Sequence, residues 1–430
     1  MKVAIIGSGV AGLTAAHLLH KDNEITVYEA GNYIGGHVNT IDLPTEDVPV
    51  SIDTGFIVFN DWTYPNFENL INDLNVQTQD SEMSFSAKCD VTDFEWSGNN
   101  LQSLIFNRDN WKQLKPYLIF YDIVRFKKHA MEFLDNTNPS DSKNELTLGS
   151  FLELNKFSSA FINYYILPMG AAIWSSTLEK INEYPARSFL TFFKNHGLLN
   201  LNVRPQWKTI VGGSKQYVSK LIKPFQDNIL TNTTIVNVKR NTRNIEVVSQ
   251  NNSSEYFDHV FFACHSDQAL SLIENASTEE QQILGNIQYQ ENIAVLHTDS
   301  TTMPKRKKAW SSWNYLVPEK ETGCANVTYY MNRLQNLNCE KDYFVTLNPY
   351  KEICPSKILK VINYTHPVFD QSAIEAQKQF NTINGYNNSW YCGAYWRNGF
   401  HEDGVWSAIR AVEQFNKSIN NEELYLQRAS

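Results

Sequence analysis

The sequence has no CxxC pair, no Cys/His cluster at metal-ligand spacing, no basic stripe and no long unbroken apolar run. Each absence removes a class of protein. Six cysteines (Cys89, Cys264, Cys324, Cys339, Cys354 and Cys392) are scattered through 430 residues. Neither a zinc site nor a disulfide framework is therefore expected, no metal is assigned, and the thiols read as reduced in a cytoplasmic protein. Lys plus Arg number 37 against 46 Asp plus Glu, a net charge of −9, which argues against a nucleic-acid partner. The one basic run, Lys305-Arg306-Lys307-Lys308, reads first as a solvated turn and second as a docking patch for an anion. The most apolar stretch, residues 157–174, contains Asn163 and Pro168 and makes a poor membrane span. It reads instead as buried helices or as an apolar substrate wall. The chain opens directly on a strand pattern at Lys2, so no signal peptide and no integral membrane segment are expected.

What is present is ample core: 42% hydrophobic and 19% charged residues, in a length suited to two or three domain-sized units. The strongest local signal lies in residues 2–30. Val3-Ala4-Ile5-Ile6 is a continuous apolar run, the pattern of a strand covered on both faces. It runs into Gly7-Ser8-Gly9-Val10-Ala11-Gly12, a G-x-G-x-x-G, and then into helical spacing of Leu13, Ala16 and Leu19. A second strand, Ile25-Thr26-Val27-Tyr28, ends in Glu29 and Ala30. In such a unit Gly7 permits the tight turn, Gly9 lets backbone approach a pyrophosphate, and Gly12 lets helix and strand pack closely. The pyrophosphate sits at the helix N-terminus, where free N–H groups favour negative charge. Glu29, seventeen residues past Gly12, is placed to hold an adenosine ribose.

That fingerprint does not separate NAD from FAD. A second glycine pair, Gly35-Gly36, followed by His37, gives another close backbone approach, suited to a longer extended ligand. Ser51-Ile52-Asp53-Thr54-Gly55-Phe56 is another short strand leading to glycine. Either segment alone reads as an ordinary turn. Near the C-terminus, Trp390-Tyr391-Cys392-Gly393-Ala394-Tyr395 reads as a strand entering a loop. Gly399-Phe400-His401-Glu402-Asp403-Gly404 follows it, and then a helix over residues 405–416. A second helix N-terminus brought to the same ligand stabilises negative charge on a reduced flavin ring.

With these motifs in place the chain resembles the FAD-dependent amine oxidase and desaturase superfamily. Within it the chain is similar to a bacterial group of predicted NAD/FAD-binding, amine-oxidase-like proteins. The matching stretches include Asp53-Thr54-Gly55-Phe56-Ile57-Val58, Pro168-Met169-Gly170-Ala171-Ala172-Ile173-Trp174 and Arg204-Pro205-Gln206-Trp207. Val211-Gly212-Gly213-Ser214, Tyr329-Tyr330-Met331-Asn332-Arg333-Leu334 and the Gly399–Gly404 loop extend the resemblance along nearly the whole chain. It implies an α/β fold: a three-layer, Rossmann-like, discontinuous FAD-binding domain (residues 1–75, 203–270 and 385–430) with an inserted α+β substrate or cap domain (76–202 and 271–384). It implies FAD held non-covalently. Gly7, Gly9, Val10, Ala11 and Gly12 hold the pyrophosphate, Glu29 and Ala30 the ribose, and Gly35, Gly36 and His37 the pyrophosphate or ribityl chain. Ile235 lies beside the adenine, Ala263 and Cys264 end the returning strand, and Thr54, Gly55, Phe56, Gly393, Glu402, Asp403 and Gly404 lie near the flavin.

Three departures separate the chain from amine oxidases. His37 stands where family members often carry arginine, residues 293–299 lack the lysine placed beneath the flavin, and Phe400 stands where a wall tyrosine is common. Flavin binding thus transfers, whereas amine oxidation does not. Relatives in this group occur in lipid-modification settings. The resemblance therefore implies an oxidoreductase acting on a small-molecule or lipid substrate, fatty-acyl or isoprenoid-like, with peripheral membrane contact left open. An isomerase or mutase without net redox, an amine oxidase, and a flavin-binding protein without turnover are the alternatives.

Side-chain chemistry is less legible. His196, Tyr315, Gln206, Trp207 and Phe400 are the pocket candidates, each with a plain structural reading beside the functional one. His401 reads as a loop or flavin contact, and Arg333 as a carboxylate site or a surface ion pair. Residues 76–202 read as mainly helical, with a loop over 136–144. Strand-like runs follow at 294–298, 326–330, 344–347 and 359–364.

Overall fold

The computed structural model describes residues 1–44, 49–98, 114–136, 146–200, 203–319 and 323–429; the helical pattern at 101–106 and most of the loop at 136–144 lie outside them. Among the described residues no helix is long and apolar enough to cross a membrane. All six cysteines are free.

The Lys2–Ile6 run forms the centre of a five-stranded sheet, ordered Ile229–Leu230, Glu24–Tyr28, Lys2–Ile6, His259–Phe262, Ser389–Tyr391. Every pairing is parallel. Val3, Ala4, Ile5, Val260, Phe261 and Phe262 are fully buried, which is why these strands are continuously rather than alternately apolar. From the central strand the chain adds neighbours on both sides. The C-terminal end of Lys2–Ile6 is thus a topological switch point, the place where an open α/β sheet leaves a crevice for a ligand.

Helices Val10–Leu19 and His401–Ala429 pack against each other beside this sheet. Gly404 makes their close approach feasible, since a Cβ there would stand 2.6 Å from Val10 Cγ1. The last helix starts at His401, four residues earlier than its apolar periodicity predicts, because the acids Glu402 and Asp403 complete its first turn. A meander of Ile235–Arg240, Ile245–Ser249 and Ser254–Phe257 flanks the sheet.

A second, seven-stranded sheet runs in the order Ile358–Val368, Gln288–His297, Phe344–Leu347, Val327–Tyr330, Trp313–Val317, Phe85–Cys89, Phe94–Ser97. It is antiparallel except where Trp313–Val317 meets Phe85–Cys89. Helices Lys115–Asn136, Leu148–Leu154, Leu167–Trp174 and Ala186–Asn195 share an apolar cluster with it through Tyr315, Val327 and Phe369.

Two expectations change. Residues 76–202 are not mainly helical at their start: Thr78–Ser81, Phe85–Cys89 and Phe94–Ser97 are strands, and the last two complete the seven-stranded sheet through a partner more than 200 residues away. A pairing at that range leaves no local period to read. The apolar core also crosses the expected boundaries at 270 and 385. Ile283, Leu284, Ala373, Ala376 and Phe380 belong to the same buried cluster as the parallel sheet.

Candidate active site

The glycine turn and the second glycine pair are built against each other. A Cβ on Gly12 would lie 2.0 Å from the Gly7 carbonyl oxygen, so only glycine lets the turn close on its helix. Gly36, at φ +59°, would bring a Cβ 3.2 Å from the Gly9 Cα. At Gly9 itself nothing lies within 4 Å of where a Cβ would stand. Gly9 is the N-cap of Val10–Leu19 and no side chain caps that end, so the first N–H groups of the helix face open space.

Glu29 is clamped beside this turn. One carboxylate oxygen accepts from Ser8 N at 3.1 Å and from Ser8 Oγ, and the other accepts from Gly31 N at 2.7 Å. Held from three sides, its remaining lone pairs point at a fixed place, as a ribose contact requires.

His37 lies past the second glycine pair. Its ring stacks on Tyr364 at 4.8 Å and stands 5.3 Å from His366. Burial, with His366, His265 and His401 nearby, pushes its pKa well below the usual histidine value and keeps it neutral. Thr54 Oγ1 donates to the Asn39 carbonyl at 2.8 Å and bonds the Tyr364 hydroxyl at 3.0 Å. Asp53, buried, accepts from Ser214 N and Oγ, Thr40 Oγ1 and Gln335 Nε2, and so ties the Val211–Ser214 turn to its strand.

These pieces border one cavity of about 1580 Å³. A single small-molecule site is commonly 300–1,000 Å³, so the space accommodates a large ligand and a second one beside it. Gly7, Gly9, Val10, Ala11, Glu29, Ala30, Gly36, His37, Thr54, Gly55, Phe56, Ile235, Ala263, Cys264 and Gly393 all line it. Gly12 and Gly35 stand behind the cradle and shape its backbone. The far half is aromatic and apolar, with Trp96, Phe120, Ile123, Met169, Trp174 and Phe192 among its wall residues. His37 Nε2, Trp174 Nε1, Trp313 Nε1 and the Tyr395 hydroxyl are buried against it and have no hydrogen-bond partner among the described residues. Buried polar atoms rarely stay unpaired, and their convergence on one space marks where ligand atoms belong. Together with the open helix end and the clamped Glu29, they fit an elongated dinucleotide.

The catalytic candidates divide. Phe400 and His196 reach the cavity wall, stacked with Phe192 at 5.4 Å and 3.8 Å respectively. His196 Nδ1 is spent on the Phe192 carbonyl at 3.0 Å, and burial lowers its pKa to about 4, so it is a neutral wall residue. His401 is neutral as well: burial lowers it to about 3, Phe56 stacks on it at 3.6 Å, and Nε2 meets the Tyr217 hydroxyl at 3.0 Å.

Besides Gly12 and Gly35, five expected site residues lie off the cavity, and Arg333 resolves to its structural reading. Tyr315 is buried in the helical cluster behind the wall. Gln206 is exposed, its amide donating to the Trp207 carbonyl at 2.8 Å, while Trp207 is the one that lines the cavity. Glu402 caps helix Pro65–Asp73 by accepting from Phe67 N at 2.9 Å and Asn66 N at 3.3 Å. Asp403 accepts from Asn398 N at 3.1 Å and Phe400 N at 2.9 Å and so fixes the loop that carries Phe400. Both acids are spent within the fold, Glu402 also on Asn66 Nδ2 and Asp403 also on Arg397 at 3.7 Å, and Gly404 serves helix packing. Arg333 pairs with Glu82 at 3.2 Å and donates to the Trp310 carbonyl at 2.8 Å. Sequence reasoning missed Tyr364 and His366, whose alternate positions on Ile358–Val368 place both on the cavity side.

A family model described as flavin-containing amine oxidoreductase matches residues 10–330. The chain belongs to that family. It is an FAD-dependent oxidoreductase. Solved structures share the fold over almost their full length. Putrescine oxidase bound to putrescine is 12% identical, with 97% of this chain and 99% of that one covered and a TM-score of 0.68. A protoporphyrinogen oxidase, named as putative, from Exiguobacterium sp. 255-15 is 13% identical, with 97% and 99% covered and a TM-score of 0.68. A CLA-producing fatty acid isomerase from P. acnes is 14% identical, with 96% and 98% covered and a TM-score of 0.66. At these identities the likeness is one of fold. No curated protein sequence matches the chain. The flavoenzyme departs from a lysine-assisted amine oxidase at a visible point: among the described residues no lysine and no aspartate line its cavity.

Proposed function

We propose that the flavoenzyme oxidises or desaturates an apolar, fatty-acyl or isoprenoid-like substrate by hydride transfer to FAD. FAD supplies the two-electron acceptor, and the residues described here supply binding, orientation and a dry wall. The pyrophosphate is assigned to the N–H groups after Gly9 and to Gly36, the ribose to Glu29, the adenine to the side of Ile235, and the ring to the end bounded by Gly393, Tyr395 and Phe400.

One observation carries the substrate class. Beyond the cradle the described cavity wall is aromatic and aliphatic, and its only acid among the described residues, Glu82, is already paired with Arg333. A protonated amine entering that space would find no free carboxylate, and burying an unpaired charge is costly. An apolar chain gains on the order of 0.8 kcal/mol for each methylene it buries. The test is anaerobic mixing of the FAD-loaded protein with long-chain acyl or isoprenoid compounds and, separately, with alkyl diamines. Bleaching of the visible flavin band by the first set alone supports the reading. Bleaching by amines alone refutes it. The fold of the fatty acid isomerase favours a second reading, isomerisation without net redox, which would show turnover with no stoichiometric electron acceptor.

A further inference from the structure

We infer that Arg204 is a specificity-determining residue that anchors the carboxylate of a long-chain acid at the mouth of the cavity, with the acyl chain running inward along the aromatic wall. The inference rests on the apolar-substrate reading and narrows it from acyl or isoprenoid chains in general to free carboxylic acids.

The charges around the cavity select this residue. Among the described residues, Glu29, Glu82 and Arg204 are the only lining residues with a full charge. Glu29 is clamped by Ser8 and Gly31 in the cradle. Glu82 is held by Arg333 at 3.2 Å and accepts from Ser84 Oγ at 2.8 Å. Among the described residues no ion pair or side-chain hydrogen bond joins Arg204 to a partner, and no carboxylate other than Glu29 and Glu82 lines the cavity with it. Arg204 is exposed, so its charge stays hydrated until a ligand arrives and needs no internal partner.

Its position is set by the backbone. Gly197, at φ +68°, turns the chain so tightly that a Cβ there would stand 3.6 Å from the Arg204 Cα and 2.8 Å from Pro205. The same turn places His196 and Leu198 on the wall near Phe400 and leaves Arg204 at the solvent boundary. On the inner side Arg204 is near Tyr165, whose hydroxyl burial pushes up and the Arg204 charge partly draws back. Tyr165 stacks on Phe161 at 5.3 Å and leans on Trp96 at 5.5 Å, which continues the apolar lining inward. A cationic, planar, two-pronged donor at the rim and a largely apolar wall behind it, whose one described acid, Glu82, is paired with Arg333, match a molecule with one carboxylate and a long hydrocarbon tail. Arginine is well suited to this, since its fork bonds both carboxylate oxygens at once.

The test is calorimetric titration of the FAD-loaded protein with dodecanoate, dodecanamide and dodecylamine, in the wild type and in Arg204→Gln and Arg204→Lys. Binding is read directly and independently of turnover. The wild type is expected to bind dodecanoate about tenfold or more tighter than dodecanamide, the scale of one charge-assisted pair at a half-wet site. Arg204→Gln should bring dodecanoate down to the amide's affinity and leave the amide unchanged, which also reports an intact fold. Arg204→Lys should restore part of the difference. Equal wild-type affinity for acid and amide, or discrimination that survives in Arg204→Gln, overturns the Arg204 assignment and leaves the apolar-substrate reading standing. Binding of dodecylamine alone, or of none of the three, overturns both.

Discussion

The two ends of the cavity are made in opposite ways. The cradle end is backbone: Gly7, Gly9, Gly12 and Gly36 bring main chain within contact distance of main chain, and Glu29 is the one charged side chain in it. The far end is side chain: Trp96, Phe120, Tyr165, Trp174, Phe192 and Phe400 arrive from strands, helices and a loop far apart in sequence. Backbone construction tolerates almost no added atom but is local. Side-chain construction tolerates repacking but requires the whole fold. In the proposed reading the cradle takes the cofactor and the wall sets substrate specificity.

The two ends should fail differently. Phe193→Ala, in the core directly behind the wall, removes a ring that is 1% exposed and stacked on Phe189 at 4.3 Å. It is expected to cost about 4 kcal/mol by denaturant unfolding, with flavin per folded molecule unchanged. A loss of flavin in proportion to stability would show the ends to be coupled. Gly12→Ala should cost somewhat less in stability, about 3 kcal/mol, because the added Cβ is forced onto the Gly7 carbonyl. Here the flavin content should collapse, and retention of stoichiometric FAD would refute the cradle assignment.

A third, smaller effect sits at the seam. Burial raises the Asp403 carboxyl to about 6. Its value in the unfolded chain is about 3.9, so the folded chain binds that proton more tightly. Its contribution to stability is complete below about pH 4 and is lost as pH rises through 6. Asp403→Asn keeps an acceptor for Asn398 N and Phe400 N but cannot titrate. Relative to this variant the wild type should lose roughly 2 kcal/mol between pH 4 and 7, read as converging or crossing Tm curves. Parallel curves would remove Asp403 as the titrating group.

The cradle was legible because its signals are adjacent in the chain: strand, glycine turn, helix and acid fall within residues 2–30, and the structure brings them together. The wall was legible in part: the apolar stretch 157–174, read as buried helices or a substrate wall, contributes Tyr165, Met169, Ala172, Ile173 and Trp174 to it. The strand Phe85–Cys89 was hidden because its parallel partner is Trp313–Val317. In Arg204-Pro205-Gln206-Trp207 the motif was visible but the polar residue chosen from it, Gln206, faces solvent, and Arg204 with Trp207 meets the cavity. Glu402 and Asp403 show the reverse error. Acids in a first helical turn beside a flavin motif look like ligand contacts, yet each is satisfied by backbone N–H groups. Whether a carboxylate is spent internally is a question of three-dimensional accounting, which spacing does not answer.

By itself, then, the order of residues determined the dinucleotide cradle, the parallel core around it and the family's cofactor, because glycine geometry and continuous apolar strands act over a few residues. Only the tertiary structure decided which aromatic residues face the cavity, which charges remain free in it and where the apolar core ends. Those outcomes depend on contacts between segments hundreds of residues apart, and the free energy of burying a side chain is set by what finally packs against it.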